Sequence, residues 1–221
     1  MGEVLIPAGA VDVAGDLHVP AGSAGMVVFA HGSGSSRHSP RNRSVATVLQ
    51  EAGLATLLMD LLTEDEEAAD RRTGHLRFDI GLLADRLADA ARWLEGRAKT
   101  AGLPLGFFGA STGGGAALVA AAAIPHRVSA VVSRGGRPDL AGESLPQVRA
   151  PTLLVVGERD TAVIGMNREA MAQMLAPTEL VIVPGAGHLF EETGALGQVA
   201  ALARGWFLRH LRTSEHSIDQ E

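Results

Sequence analysis

The chain has 221 residues, 46% of them hydrophobic and 20% charged, with a formal net charge of −6 and a pI near 5.7. That length suits one α/β domain with a sizeable core, and the acidic balance argues against a nucleic-acid surface. With no cysteine, disulfides and thiolate metal sites are excluded.

The first twenty residues lack the basic start and long apolar run of a signal peptide, and no apolar stretch approaches the roughly 18 residues of a spanning helix. The expectation is a cytoplasmic protein that engages neither membrane nor nucleic acid. Residues 11–19 alternate enough to be an early strand at a sheet edge. The unbroken apolar run 26–30 reads as a strand covered on both faces. It ends in the small-residue loop His31-Gly32-Ser33-Gly34-Ser35-Ser36. Residues 42–52 are amphipathic and stop at Gly53, which suits a helix C-cap, and 54–59 form the next buried strand. The acidic stretch 61–73 reads as a solvated loop. Residues 76–99 then place Ile80, Leu83, Leu87, Ala90, Ala91 and Leu94 on one face of a long helix.

Residues 105–108 read as a buried strand and 116–124 as a buried helix. Further strands are expected at 128–133, 152–156 and 180–183, with helical segments at 167–175 and 196–211. Strands alternating with helices imply right-handed crossovers and a mostly parallel sheet with helices on both faces. Residues 1–212 are therefore expected to form one domain, followed by a polar tail at 213–221. The connection from 133 to 151 is too short for a large cap domain, so the substrate pocket should be shallow and open.

Between the strand at 105–108 and the helix at 116–124 lies Gly109-Ala110-Ser111-Thr112-Gly113. A Gly-x-Ser-x-Gly turn from strand to helix is a nucleophile elbow. A serine hydroxyl is a poor nucleophile near pH 7 until a base takes its proton, and histidine is the base suited to that pH. His188 and Asp160 each follow a strand, as Ser111 does, and loops at the carboxyl ends of parallel strands face one crevice. The order Ser, Asp, His matches that of α/β-hydrolases. Ser111 is thus the candidate nucleophile, His188 the base and Asp160 the group that orients it. Oxyanion donors are expected from the backbone N–H groups of Thr112 and Ser33. The blander readings are that Ser111 and Asp160 merely cap the helices they precede and that His188 is an ordinary loop residue. His31 is expected to hold the oxyanion loop by hydrogen bonding. His38, His75 and His126 are expected at the surface. Arg37 and Arg134 follow strands on the same side, so either could pair with a substrate carboxylate. No cofactor and no metal are implied.

The stretches 31–42 (HGSGSSRHSPRN), 109–115 (GASTGGG), 157–160 (GERD) and 185–190 (GAGHLF) resemble the α/β-hydrolase superfamily, and most closely its small, lidless dienelactone-hydrolase-like branch. The likeness runs from about residue 11 to 211. It implies the α/β-hydrolase fold, a small-molecule ester substrate and carboxylic ester hydrolysis. Dienelactone hydrolases proper use a cysteine nucleophile, so serine at the elbow favours general esterase chemistry. Some relatives carry the acid one strand earlier, which makes Asp139 a competitor of Asp160 and leaves Glu158 a weaker one. Similar domains also occur fused to phosphoribosyltransferases, but these 221 residues contain no such module. The alternatives are thioester hydrolysis or acyl transfer on the same triad, and a catalytically idle scaffold used for binding. The sequence leaves the oligomeric state open.

Overall fold

Strands buried on both faces need apolar side chains in both directions, and the runs at 26–30 and 55–59 supply them. In the computed structural model, which describes residues 2–211, they become β3 (Met26–Ala30) and β4 (Ala55–Met59), buried at every position. They belong to an eight-stranded sheet with β1 (Gly2–Ala8), β2 (Val11–His18), β5 (Leu105–Ala110), β6 (Val128–Arg134), β7 (Thr152–Gly157) and β8 (Thr178–Val183). The order is β1-β2-β4-β3-β5-β6-β7-β8. All neighbours from β4 to β8 are parallel, while β1 and β2 are antiparallel.

Six α-helices are described: α1 (Pro40–Glu51), α2 (Glu64–Thr73), α3 (Ile80–Glu95), α4 (Thr112–Ala123), α5 (Thr161–Met171) and α6 (Ala195–His210). Because side chains alternate along a strand, each strand feeds two cores. Val28, Leu57, Phe107 and Val131 pack with Leu83, Leu87 and Leu94 of α3 and the alanines of α4. Val27, Phe29, Leu58 and Phe108 pack with Val45 and Leu49 of α1 and Val199, Ala203 and Phe207 of α6. Phe29 and Phe108, partners across β3 and β5, bring their rings to 4.9 Å in the two strands that end at the 31–36 loop and the elbow. Full burial of one such side chain contributes about 1.5–3 kcal/mol. Among the described residues no helix is long and apolar enough to cross a membrane.

Several expectations need correction. Residues 11–19 are not an edge strand: β1 pairs outside β2, through a turn in which Gly9 takes φ 64°. The supposed loop at 61–73 contains α2. Its signals are local: Thr63 and Glu66 form a reciprocal capping box, four carboxylates fill the first turn, arginines end it, and Gly74 closes it at φ 69°. It has no apolar stripe, because ion pairs and not packing hold it: Glu66 grips Arg86 of α3, and Asp70 grips Arg77.

The helix expected at 76–99 is shorter, since Asp79 caps α3 through Leu82 N–H after a separate 3-10 turn at Leu76–Phe78. α1 starts earlier than expected, with Ser39 as N-cap and Pro40 in its first turn. α5 starts at Thr161, six residues before the expected 167. The segment after β6 forms a 3-10 stretch at Pro138–Gln147 and no large cap. The expected tail at 213–221 lies outside the described residues.

Candidate active site

The elbow is built by close backbone approach. A Cβ on Gly113 would lie 2.3 Å from the Ala30 carbonyl oxygen, and one on Gly109 would lie 2.5 Å from the Gly113 carbonyl oxygen. Only glycine fits at either place, so α4 accepts a glycine-rich first turn despite a propensity cost of about 1 kcal/mol per glycine. Ser111 sits at φ 51°, ψ −122°, one of two non-glycine residues with positive φ among the described residues. Strain of that kind costs about 1–3 kcal/mol and persists only where its surroundings enforce it. Here the Ser111 N–H donates to the Arg134 carbonyl, and the Ser111 carbonyl accepts from the N–H groups of Gly114 and Arg137.

Ser111 and Asp160 both occupy N-cap positions, of α4 and α5, yet neither side chain caps its helix. The Asp160 Oδ2 atom lies instead 2.6 Å from His188 Nδ1. A carboxylate only accepts, so Nδ1 carries a proton, and in the neutral ring the lone pair falls on Nε2. Asp139, the competing acid, is committed to Arg137 through a forked pair with contacts of 2.8 and 2.7 Å. Glu158 accepts from the Gly185 N–H at 2.7 Å. Of the three acids, only Asp160 meets the imidazole.

The His188 loop is docked onto the Asp160 loop by backbone contact: a Cβ on Gly157 would lie 2.5 Å from the carbonyl oxygens of Ala186 and Gly187. Two side chains that the sequence reading passed over complete the clamp. Arg159 donates through Nε to the Gly185 carbonyl at 2.6 Å, and Glu192 accepts from the Gly187 N–H at 3.0 Å. Gly135, at φ 51°, packs against the same loop, where a Cβ would stand 3.1 Å from the His188 carbonyl oxygen. Arg159 is 26 residues from the carbonyl it holds, so nothing in local sequence marks it, whereas Glu192 is only five residues from the Gly187 N–H.

Ser111 and His188 line one cavity of about 250 Å³, with Gly32, Ser33, Ser35, Arg41, Arg134 and Leu189. His188 is exposed to solvent, as an uncapped site requires. No hydrogen bond joins the Ser111 hydroxyl to His188 in this structure. A second cavity of about 280 Å³ adjoins along the 31–36 loop and is lined by Leu61, Leu62, Leu83, Glu67 and Thr112 among others. Burial and the nearby Asp60 carboxylate hold Glu67 above the usual carboxylate range.

His31 is buried, donates from Nδ1 to the Gly32 carbonyl at 2.9 Å, and accepts the Leu61 N–H at Nε2, 3.0 Å. Those two partners define a neutral tautomer, and burial lowers its pKa accordingly. It therefore ties the 31–36 loop to the chain after β4. Of the two expected oxyanion donors, the Thr112 N–H opens α4 and has no intrahelical acceptor. The Ser33 N–H is already given to the Thr112 hydroxyl at 2.9 Å.

Arg37 is not brought to the cavity. It pairs with Asp60, Asp16 and Glu3, which tie its loop to β1, β2 and the end of β4. Arg134 is brought there, 7% exposed. His38, His75 and His126 are exposed.

Comparison with known proteins places this architecture. A crystal structure described as dienelactone hydrolase from Anabaena variabilis superposes with a TM-score of 0.94 at 61% identity, covering 96% of this chain and 98% of that one. A Mycobacterium tuberculosis protein named "Putative phosphoribosyl transferase" is 60% identical over 209 residues, which are 95% of this chain and 46% of that protein. The chain thus spans about half the length of that relative. A Bradyrhizobium protein named "Probable 2-oxo-3-(5-oxofuran-2-ylidene)propanoate lactonase" is 32% identical over 167 residues, covering 68% of this chain and 67% of that one. The model of the dienelactone hydrolase family matches residues 13–212, and the chain belongs to that family.

Proposed function

We propose that this protein is a serine hydrolase that cleaves carboxylic esters through an acyl-serine intermediate, in the manner of a dienelactone-hydrolase-like esterase. The observation that carries the reading is a serine held in a strained elbow, freed from capping, in one cavity with an imidazole whose Nδ1 is bound to a carboxylate.

Ser111 Oγ adds to the ester carbonyl carbon while its proton passes to His188 Nε2. Asp160 stabilises the imidazolium without taking that proton. The negative charge on the former carbonyl oxygen is met by the Thr112 N–H, and by the Ser33 N–H once the Thr112 hydroxyl yields or shares it. The imidazolium then protonates the departing alkoxide as the C–O bond breaks. Water, deprotonated by His188, adds to the acyl carbon, and the imidazolium returns that proton to Ser111 Oγ as the C–Oγ bond breaks and the acid is released. The missing Ser111–His188 hydrogen bond is compatible with this sequence, because such bonds commonly tighten only around substrate. The lactonase name of the Bradyrhizobium relative supports acyl–oxygen cleavage. The phosphoribosyl transferase name belongs to a relative about twice this length and enters no step.

The test is Ser111→Ala on a short-chain p-nitrophenyl ester, together with fluorophosphonate labelling of the unaltered protein. Loss of at least about 1,000-fold in kcat and an adduct on Ser111 are expected. Retained turnover, or an adduct elsewhere, would overturn the assignment.

A further inference from the structure

Beside Ser111 one buried hydroxyl is only half used. Thr112 is 3% exposed, its Oγ1 accepts the Ser33 N–H at 2.9 Å, and the hydroxyl proton has no acceptor among the described residues. A hydroxyl can donate once as well as accept, and buried polar groups rarely leave that capacity empty. The Oγ1 atom is three bonds from the Thr112 nitrogen, so it links the two amides expected to face the oxyanion. Thr112 lines the cavity of about 280 Å³, which meets the Ser111–His188 cavity along Gly32, Ser33 and Ser35. The acceptor that the reaction brings to that junction is the former carbonyl oxygen of the ester.

We propose that the Thr112 side chain is itself a catalytic oxyanion donor. Its O–H and the N–H of the same residue bind the developing charge together, and the Ser33 N–H acts from behind by polarising the hydroxyl. The proposal rests on the serine-hydrolase reading above and states how the Ser33 amide, already engaged, contributes. When the oxyanion forms, the hydroxyl either turns away and yields the Ser33 N–H or stays and donates. The surroundings favour staying, because the 31–36 loop is pinned. His31 bonds the Gly32 carbonyl and the Leu61 N–H, and the Ser35 N–H donates to the Gly32 carbonyl at 3.1 Å. A Cβ on Gly32 would lie 3.0 Å from Ser111 Cβ, so the loop already rests on the elbow. Turning away forfeits the Ser33 bond. Staying keeps it and adds a bond to an anion, which is the stronger kind. A hydroxyl that accepts one hydrogen bond also becomes a better donor of another. No proton changes hands: the O–H bond tightens on the carbonyl oxygen as Ser111 Oγ adds, and relaxes when the carbonyl re-forms and the alkoxide leaves.

The experiment compares Thr112→Val, which keeps the shape and removes the hydroxyl, with Thr112→Ser, which keeps the hydroxyl. The probes are p-nitrophenyl butyrate and trifluoroacetophenone, a ketone that Ser111 converts to a tetrahedral oxyanion adduct while His188 takes the serine proton. Thr112→Val should lower kcat by about 10²- to 10³-fold, the cost of one lost donor, with KM within about threefold. Its affinity for the ketone should fall by a similar factor, because the adduct resembles the transition state. Thr112→Ser should keep both within about tenfold of the parent. In the unaltered protein, which decides alone if Thr112→Val does not fold, amide NMR with and without the ketone reads the donors directly. The Thr112 amide proton should move strongly downfield on adduct formation and the Ser33 amide proton much less, because it stays on the hydroxyl. A Ser33 shift as large as that of Thr112 overturns the proposal. So does a Thr112→Val protein that is faster than the parent or within about tenfold of it, or one that loses activity and keeps its ketone affinity. In those cases fluorophosphonate labelling of Ser111 leaves the hydrolase reading standing, whereas absence of labelling overturns both.

Discussion

Replacing Asp160 by asparagine probes the link on which the proposed chemistry depends. The 2.6 Å contact from His188 Nδ1 to Asp160 Oδ2 does two things: it places a negative charge against the imidazolium and it sets which ring nitrogen is basic. Losing only the charge-assisted bond removes about 1.5–3 kcal/mol, or roughly 10- to 150-fold in rate at 1.36 kcal/mol per decade. If the new amide donates to Nδ1, the ring proton moves to Nε2, the base is lost, and the deficit approaches about 10⁴-fold, as in serine proteases. Asp160→Asn should therefore lower kcat by about 10- to 10⁴-fold with little change in KM. Asp139→Asn, which touches only the Arg137 pair, should stay within about twofold. Pre-steady-state release of p-nitrophenol resolves acylation directly. An Asp160→Asn protein within tenfold of the parent, or an Asp139→Asn protein equally impaired, would refute the assignment of the acid.

Gly113→Ala forces a Cβ to within 2.3 and 2.5 Å of the Ala30 and His31 carbonyl oxygens; a loss of about 1–3 kcal/mol, read as a Tm lower by about 2–10 °C, is expected. An unchanged Tm would show the elbow to be looser than described. His31 is neutral in the fold, with its pKa lowered by burial, so the unfolded chain binds more protons below about pH 6.5. Its contribution to stability is complete above that pH and is lost as pH falls toward the folded-state value. His210, lowered by burial and Arg209, acts in the same window, so the test is the difference between the parent and His31→Gln in urea unfolding at pH 7 and pH 5. The variant should show the shallower fall, and equal falls would contradict it. Glu66→Ala breaks the capping box and strands Arg86; a loss of about 3 kcal/mol and earlier proteolysis within α2 are expected, and an unaltered urea midpoint would refute the ionic anchoring.

The central strands and the elbow were legible in sequence because their causes are local. A short, valine-bearing apolar run such as 26–30 is too brief for a helix and reads as a strand covered twice, and glycines two residues either side of Ser111 announce a crowded turn. α2 was legible too, in Thr63, Glu66 and Gly74, but a search for an apolar stripe passes over a helix anchored by ion pairs. β1 escaped because its pairing with β2 is a property of the pair, and an isolated exposed strand has no strong signature of its own. Composition and order also limited the candidate acids to three.

Choosing among those acids was a matter of three-dimensional reach: Asp139 and Glu158 found partners elsewhere, and Asp160 alone met His188. The two arginines separated in the same way. Both follow strands and look alike in sequence, yet Arg37 lies among three carboxylates while Arg134 is buried beside Ser111 with none. Sequence specifies what each residue can do over a few neighbours, through propensity, periodicity and turn chemistry. Which charge a buried guanidinium or an imidazole meets depends on groups many residues distant, and only the closed sheet and its packed loops bring those within a few ångströms.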